Sequence, residues 1–229
     1  MAKKTNKTED QFAQVEQALT KTEQFIEDNQ KLLTRIVGVI VGVVALVIGF
    51  QNFYIKPLEN SAQTDMYMAE IYFEKDSFSL ALNGDGQYLG FLDVSDEYSW
   101  TKVGKLANYY SGICYLNLSD YESAIEYLKK FSSDDIILST IALGCIGDAY
   151  MELGDIDKAL DSYEDASDNS ENDFTTPMYM FKQAAIYEKE GDYEKALDLY
   201  NYINDNFKTS REANDIEKYI SRANTAISK

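Results

Sequence analysis

The sequence predicts an all-α protein: one N-terminal transmembrane helix, then a superhelix of about four helix–turn–helix pairs closed by a capping helix. Three observations carry this. Residues 36–50 hold no polar side chain. A small-residue, tyrosine and alanine pattern recurs every 35 to 37 residues further on. The 229 residues include only 2 Pro and 12 Gly but 45% apolar residues, too few chain breakers for a turn-dense all-β fold and enough apolar mass for a core.

The apolar run reads IVGVIVGVVALVIGF, and its flanks extend it over residues 34–55, the length a helix needs to cross a bilayer. Fifteen successive positions leave no polar face for water, which argues against a core helix. Thirty-five residues precede the run, and no small-residue cleavage pattern follows it, so it reads as an uncleaved signal anchor. Lys21, Lys31 and Arg35 lie ahead of it, against Lys56 alone just behind. Flanking bases stay on the cytoplasmic side, so residues 1–33 are expected in the cytoplasm and the bulk of the chain outside it. Gly38, Gly42, Ala45 and Gly49 line one helix face at the spacing that lets a second helix approach. In the tail, Phe12, Val15, Leu19, Ile26 and Leu33 recur at three- and four-residue steps or multiples of them, as in an amphipathic helix.

Residues 56–63 are expected to be a linker, and residues 64–229 the helical-pair domain, with pairs near 64–103, 104–138, 139–175 and 176–208. The clearest copies begin at Gly112, Gly147 and Ala184. Each continues with Tyr at the fourth position (Tyr115, Tyr150, Tyr187), then a turn with Asp (Asp120, Asp155, Asp192), then Ala (Ala124, Ala159, Ala196). The small residue permits close helix approach. The turn favours Gly, and the Asp can cap the second helix. A fourth copy, Ala69, Tyr72, Asp76, Phe78 and Ala81, lies upstream, with eight extra residues before the next Ala. The turn-rich stretch 83–90 accounts for them as an insertion in or beside the second helix. Thr209-Ser210-Arg211-Glu212 has the pattern of a capping box opening the terminal helix 209–229.

These residues resemble the tetratricopeptide repeat (TPR), a helix–turn–helix unit. Ser119 stands where the repeat has Gly, and Leu128 where it has an aromatic. The resemblance implies a concave groove lined by the first helices, with Tyr109, Ile113 and Asn117 in one unit, Ile141, Asp148, Met151 and Glu152 in the next, and Met178, Phe181 and Glu188 in the third. Apolar residues mixed with acids would suit a protein or peptide partner with some positive charge. Phe181 in particular is expected to serve partner capture rather than stability.

Composition excludes other classes. Net charge is −18, which opposes a phosphate-tracking surface, so no nucleic-acid partner is expected. No His is present, so a Ser-His-Asp triad is excluded, and no phosphate-binding glycine motif occurs. The chain is expected to be non-catalytic, with no cofactor and no metal. Cys114 and Cys145 lie in successive first helices at unlike repeat offsets; free buried thiols fit better than a disulfide, and both remain open.

A short tail, one anchor and an acidic exported TPR domain together resemble the YfgM-type ancillary subunit of the bacterial Sec translocon. That resemblance implies an inner-membrane protein with a periplasmic domain, working with the Sec translocon and a periplasmic foldase. A scaffold of another envelope assembly (secretion, motility or outer-membrane biogenesis) and an organelle-surface import receptor are the other readings of the layout.

Overall fold

The computed structural model describes residues 5–228, and the side chains of residue 23 and of residues 25–228. The chain divides into two compact units, Met1–Lys56 and Pro57–Lys229. All elements among the described residues are helical.

The first unit is helix α1, Thr5–Phe50, followed by a π-helical turn, Gln51–Ile55, in which the Lys56 N–H bonds to the Gln51 carbonyl. The tail and the apolar run thus share one helix rather than forming separate elements. Phe12, Val15 and Leu19 lie outside the residues whose side chains are described. Ile26 is exposed and Leu33 half-buried. One helix among the described residues is long and apolar enough to cross a membrane.

In the second unit, α2 (Lys56–Glu74) pairs with two short helices, α3 (Phe78–Asn83) and α4 (Phe91–Glu97). Then come α5 (Lys102–Asn117) with α6 (Tyr121–Lys130), and α7 (Ile136–Glu152) with α8 (Ile156–Asp168). Last are α9 (Thr175–Glu190) with α10 (Tyr193–Asn206), and α11 (Ile216–Ile227). From α4 onward each helix packs on its chain neighbours, and α5, α7 and α9 also touch in sequence. That is the contact pattern of a solenoid.

The four pairs share one turn. The N–H groups of Ser77, Asp120, Asp155 and Asp192 each bond to the carbonyl five residues back, that of Tyr72, Tyr115, Tyr150 and Tyr187, at 2.8–2.9 Å. The residue between takes a left-handed conformation, with φ +55° at Asp76, +61° at Ser119, +76° at Gly154 and +85° at Gly191. This closes the orphan carbonyls of the first helix. Asp120, Asp155 and Asp192 then accept from the amides of Ser123, Lys158 and Lys195, capping the second helices. In the upstream copy Asp76 occupies the turn position and caps nothing; Ser77 stands at the cap and makes no such bond.

Small residues set the helix spacing. A Cβ on Gly112 would come within 2.5 Å of Leu128 Cγ, and one on Gly147 within 2.6 Å of Tyr163 Cε1. Four apolar clusters follow the chain, one at each junction, with Met66, Phe91 and Val94 in the first and Tyr200, Ile203 and Ile216 in the last.

Two expectations change, and the expected insertion is located. Residues 56–63 are not a linker but the first two turns of α2. Ala62, Met66 and Ala69 bury one face of that helix, which continues directly from the π-helical turn. The insertion splits the second helix outright: Gly84 and Gly86 have φ of +72° and +87°, and Asp85 Oδ1 accepts from the amides of Gln87 and Tyr88. At the last helix, Ser210 is the capping residue, accepting from the Ala213 N–H at 3.2 Å, while the Thr209 hydroxyl donates to Asp173. The capped turn is a 3-10 turn, Glu212–Asp215, that leads into α11.

Candidate partner-binding face

The first helices α5, α7 and α9 lie side by side, each begun by a side-chain cap. Thr101 accepts from the Gly104 N–H, Asp135 from Leu138, and Asn172 from Phe174 and Thr175. These caps fix where each helix starts and so which side chains share its exposed stripe.

The residues expected there divide into three groups. Asn117 and Glu152 are exposed, with the Asn117 amide donating to the Ile113 carbonyl and the Tyr121 hydroxyl to Glu152 at 3.4 Å. Ile113, Ile141, Met151 and Met178 are half-buried: Ile113 packs on the cluster around Ile146, Met151 and Met178 on the cluster around Tyr163, and each keeps part of its surface open. Tyr109, Asp148, Phe181 and Glu188 are engaged within the domain. The Tyr109 ring lies 5.3 Å from that of Phe131, and burial pushes its phenol up to about 12. Phe181 stands edge-on to Tyr219 at 4.8 Å and 5.7 Å from Tyr200. It therefore packs α9 against α10 and α11, and a test of partner capture belongs on other residues.

The two acids have parallel roles. Asp148 Oδ1 accepts from the Tyr163 hydroxyl of α8 and from Lys182 Nζ of α9, both at 2.5 Å. Lys182 also lies over the rings of Tyr163 and Tyr179, 5.3 and 5.6 Å from their centroids. Glu188 accepts from the Tyr200 hydroxyl of α10 at 3.0 Å and from both Nε and Nη2 of Arg222 on α11. Arg222 in turn sits over Tyr219. Each carboxylate joins its own second helix to the following helix along the stack. Burial, then the Asp148 hydrogen bond and charge, raise the Tyr163 phenol well above its ordinary value; burial and Glu188 do the same for Tyr200.

Sequence reasoning missed Lys182, Tyr179, Tyr219 and Arg222. The recurrence of an aromatic at Tyr163 and Tyr200, sixteen residues after each small residue, was a usable signal for the hydroxyls. Nothing in the spacing marked the cations. Gly144 matters for a related reason: a Cβ there would overlap the Tyr179 ring.

Several clefts flank the first helices. One, of 750 Å³, lies at the C-terminal end and is lined by Ala185, Glu188, Lys189, Lys218 and Arg222 among others. Another, of 480 Å³, opens between α6, α7 and α8, floored by Leu128, Phe131, Leu143 and Ile146. Among the described residues no group of His, Cys, Asp or Glu is arranged to hold a metal ion. Cys114 and Cys145 are free, and burial pushes both thiols up to about 12. On α1, a Cβ on Gly38, Gly42 or Gly49 would meet open space, and Ala45 is exposed.

Residues 106–134 match one family model described as the tetratricopeptide repeat, and residues 146–210 match a second. These pairs are similar to tetratricopeptide repeats. The matched residues take in nearly all of the α5–α6 pair, the end of α7, and α8 through α10. The α2–α4 pair lies outside them yet closes with the same left-handed turn and the same bond to a tyrosine carbonyl. No curated protein matches the chain. TPR units are protein-interaction modules, which gives this chain an adaptor or scaffold character, beside one N-terminal helix long and apolar enough to span a membrane.

Proposed function

We propose that this protein is a non-catalytic, membrane-anchored TPR adaptor of the bacterial inner membrane, with the N-terminus cytoplasmic and residues 57–229 in the periplasm. The observation that carries the reading is the pairing of an apolar helix with three adjacent first helices that leave Asn117, Glu152, Ile113, Ile141, Met151 and Met178 open to a partner. With Asp148 and Glu188 neutralised inside the domain, the apolar stripe supplies most of the affinity for an extended or helical peptide, and Glu152 the remaining charge preference. Gly38, Gly42, Ala45 and Gly49 offer a packing seam within the bilayer. The layout favours a place beside the Sec translocon and a periplasmic foldase, assisting emerging envelope proteins.

The test has two arms. Protease added to intact spheroplasts should digest residues 57–229; protection would reject the topology. A mild-detergent pull-down of the full chain should recover the Sec channel and a foldase, and Ile113→Asp with Glu152→Lys should abolish recovery at unchanged helicity. Recovery of a different envelope assembly, with Sec proteins at background, would discard the Sec assignment.

A further inference from the structure

The solenoid has two edges, and one carries an unusual surface. Glu59, in the first turn of α2, accepts from the backbone N–H groups of Lys102 and Val103 at 2.9 and 3.0 Å, so α2 and α5 begin together. Lys102 reaches Asp134 in the turn before α7 at 3.7 Å, and Asn169, in the segment between α8 and α9, donates to the Thr140 hydroxyl near the start of α7 at 2.8 Å. The starts of α2, α5, α7 and α9 therefore share one edge. On it, Trp100 is 75% exposed, Phe174 62% and Ile136 54%. Each sits at the entry to a successive first helix. At the opposite edge, among the described residues, Leu118 and Leu153 reach 45% and 39%, and no large aromatic is equally bare.

A bare Trp or Phe is costly in water, at roughly 25 cal/mol per Å² of apolar surface, and both are at home in the headgroup region of a bilayer. The apolar run ends at Ile55 and α2 begins at Lys56, so the start of α2 is tethered at the membrane surface. Asp134, Asp135 and Asp173 flank the exposed side chains, which disfavours anionic headgroups. We propose that this edge is an interfacial contact, with Trp100, Ile136 and Phe174 seated in the headgroup layer of a zwitterionic bilayer. The proposal rests on the membrane-anchor reading.

The chain has a single tryptophan, so its emission reports this site alone. The full-length protein would be placed in phosphatidylcholine nanodiscs with and without acyl-brominated lipid. Trp100 emission should shift to the blue and lose most of its intensity with the brominated lipid. Ile136→Ser with Phe174→Ser, at unchanged far-UV circular dichroism, should restore it. Full emission from a chain incorporated in brominated discs would overturn the edge contact and leave the anchor standing. A chain that enters no disc would overturn the anchor reading and the proposal with it. A blue shift that grows with protein concentration and is not quenched by the brominated lipid would assign the patch to a second copy and reject a lipid contact.

Discussion

Arg222 of α11 grips Glu188 of α9 through two guanidinium nitrogens, with only 13% of the Glu188 side chain exposed. The Asp148–Lys182 pair one repeat earlier uses a single ammonium, with side chains 41% and 36% exposed. A forked, sheltered pair is worth more than a half-open point charge. A double-mutant cycle should give a coupling of about 1–2 kcal/mol for Glu188→Gln with Arg222→Met, and below about 1 kcal/mol for Asp148→Asn with Lys182→Met. Chemical denaturation measures both. Equal couplings would mean that shelter and bidentate geometry contribute nothing here.

Glycine acts in two different ways. At Gly144 a methyl group would overlap the Tyr179 ring, so Gly144→Ala should cost roughly 1–3 kcal/mol through overpacking. At Gly191 the added methyl meets open space but the backbone sits at φ +85°, so Gly191→Ala should cost about 1 kcal/mol through strain alone. Adding Tyr179→Leu should rescue the first variant and leave the second unchanged in a denaturant titration.

Buried tyrosines make the fold sensitive to alkali. Tyr109 is raised to about 12, and Tyr163, Tyr179 and Tyr200 are raised as well, with burial the first cause in each. Above pH 10 an unfolded chain releases these protons while the folded chain keeps them. The folded state then binds more protons, so stability falls as pH rises; below pH 10 the contribution is complete. Each such phenol should remove about 1.4 kcal/mol per pH unit in that window. Melting temperature followed from pH 8 to 12 should be flat and then drop, and Tyr163→Phe should make the drop shallower. An unchanged slope in that variant would show that Tyr163 ionises normally.

The thiols should be inert. With both pushed to about 12 by burial, Cys114 and Cys145 are neutral at pH 7 and poor nucleophiles. Alkylation of the native protein should be much slower than of the chain in denaturant, and electrophoretic mobility should not change on reduction. A reductant-dependent shift would mean that the two sulfurs pair.

Much of this architecture was legible because its signals are local. Gly147, Tyr150, Gly154, Asp155 and Ala159 lie within thirteen residues of one another, and each acts on the turn or helix contact beside it. The same logic exposed the upstream copy from Ala69 to Ala81. Signals without a strong local cause were misread. Residues 56–63 looked like a linker because their helix is stabilised by burial of Ala62 against later helices. Thr209 looked like a cap because the pattern could not show that Asp173 would take its hydroxyl.

The ion-paired and the cation-free acid of α7 mark the boundary most clearly. Asp148 and Glu152 stand four residues apart on one helix, and nothing in their spacing tells them apart. Composition and periodicity were enough for the apolar helix, the repeat length, the turns and the Asp120, Asp155 and Asp192 caps, since these depend on neighbours within about one helical pair. Packing of α9 against α7 brought Lys182 to Asp148 and left Glu152 exposed, with only the Tyr121 hydroxyl on it, and packing of α11 against α9 brought Arg222 to Glu188 across thirty-four residues. Such pairings depend on how one repeat is rotated against the next, a quantity set by the fit of Tyr179 over Gly144 and of Phe181 against Tyr219, and therefore by the folded stack alone.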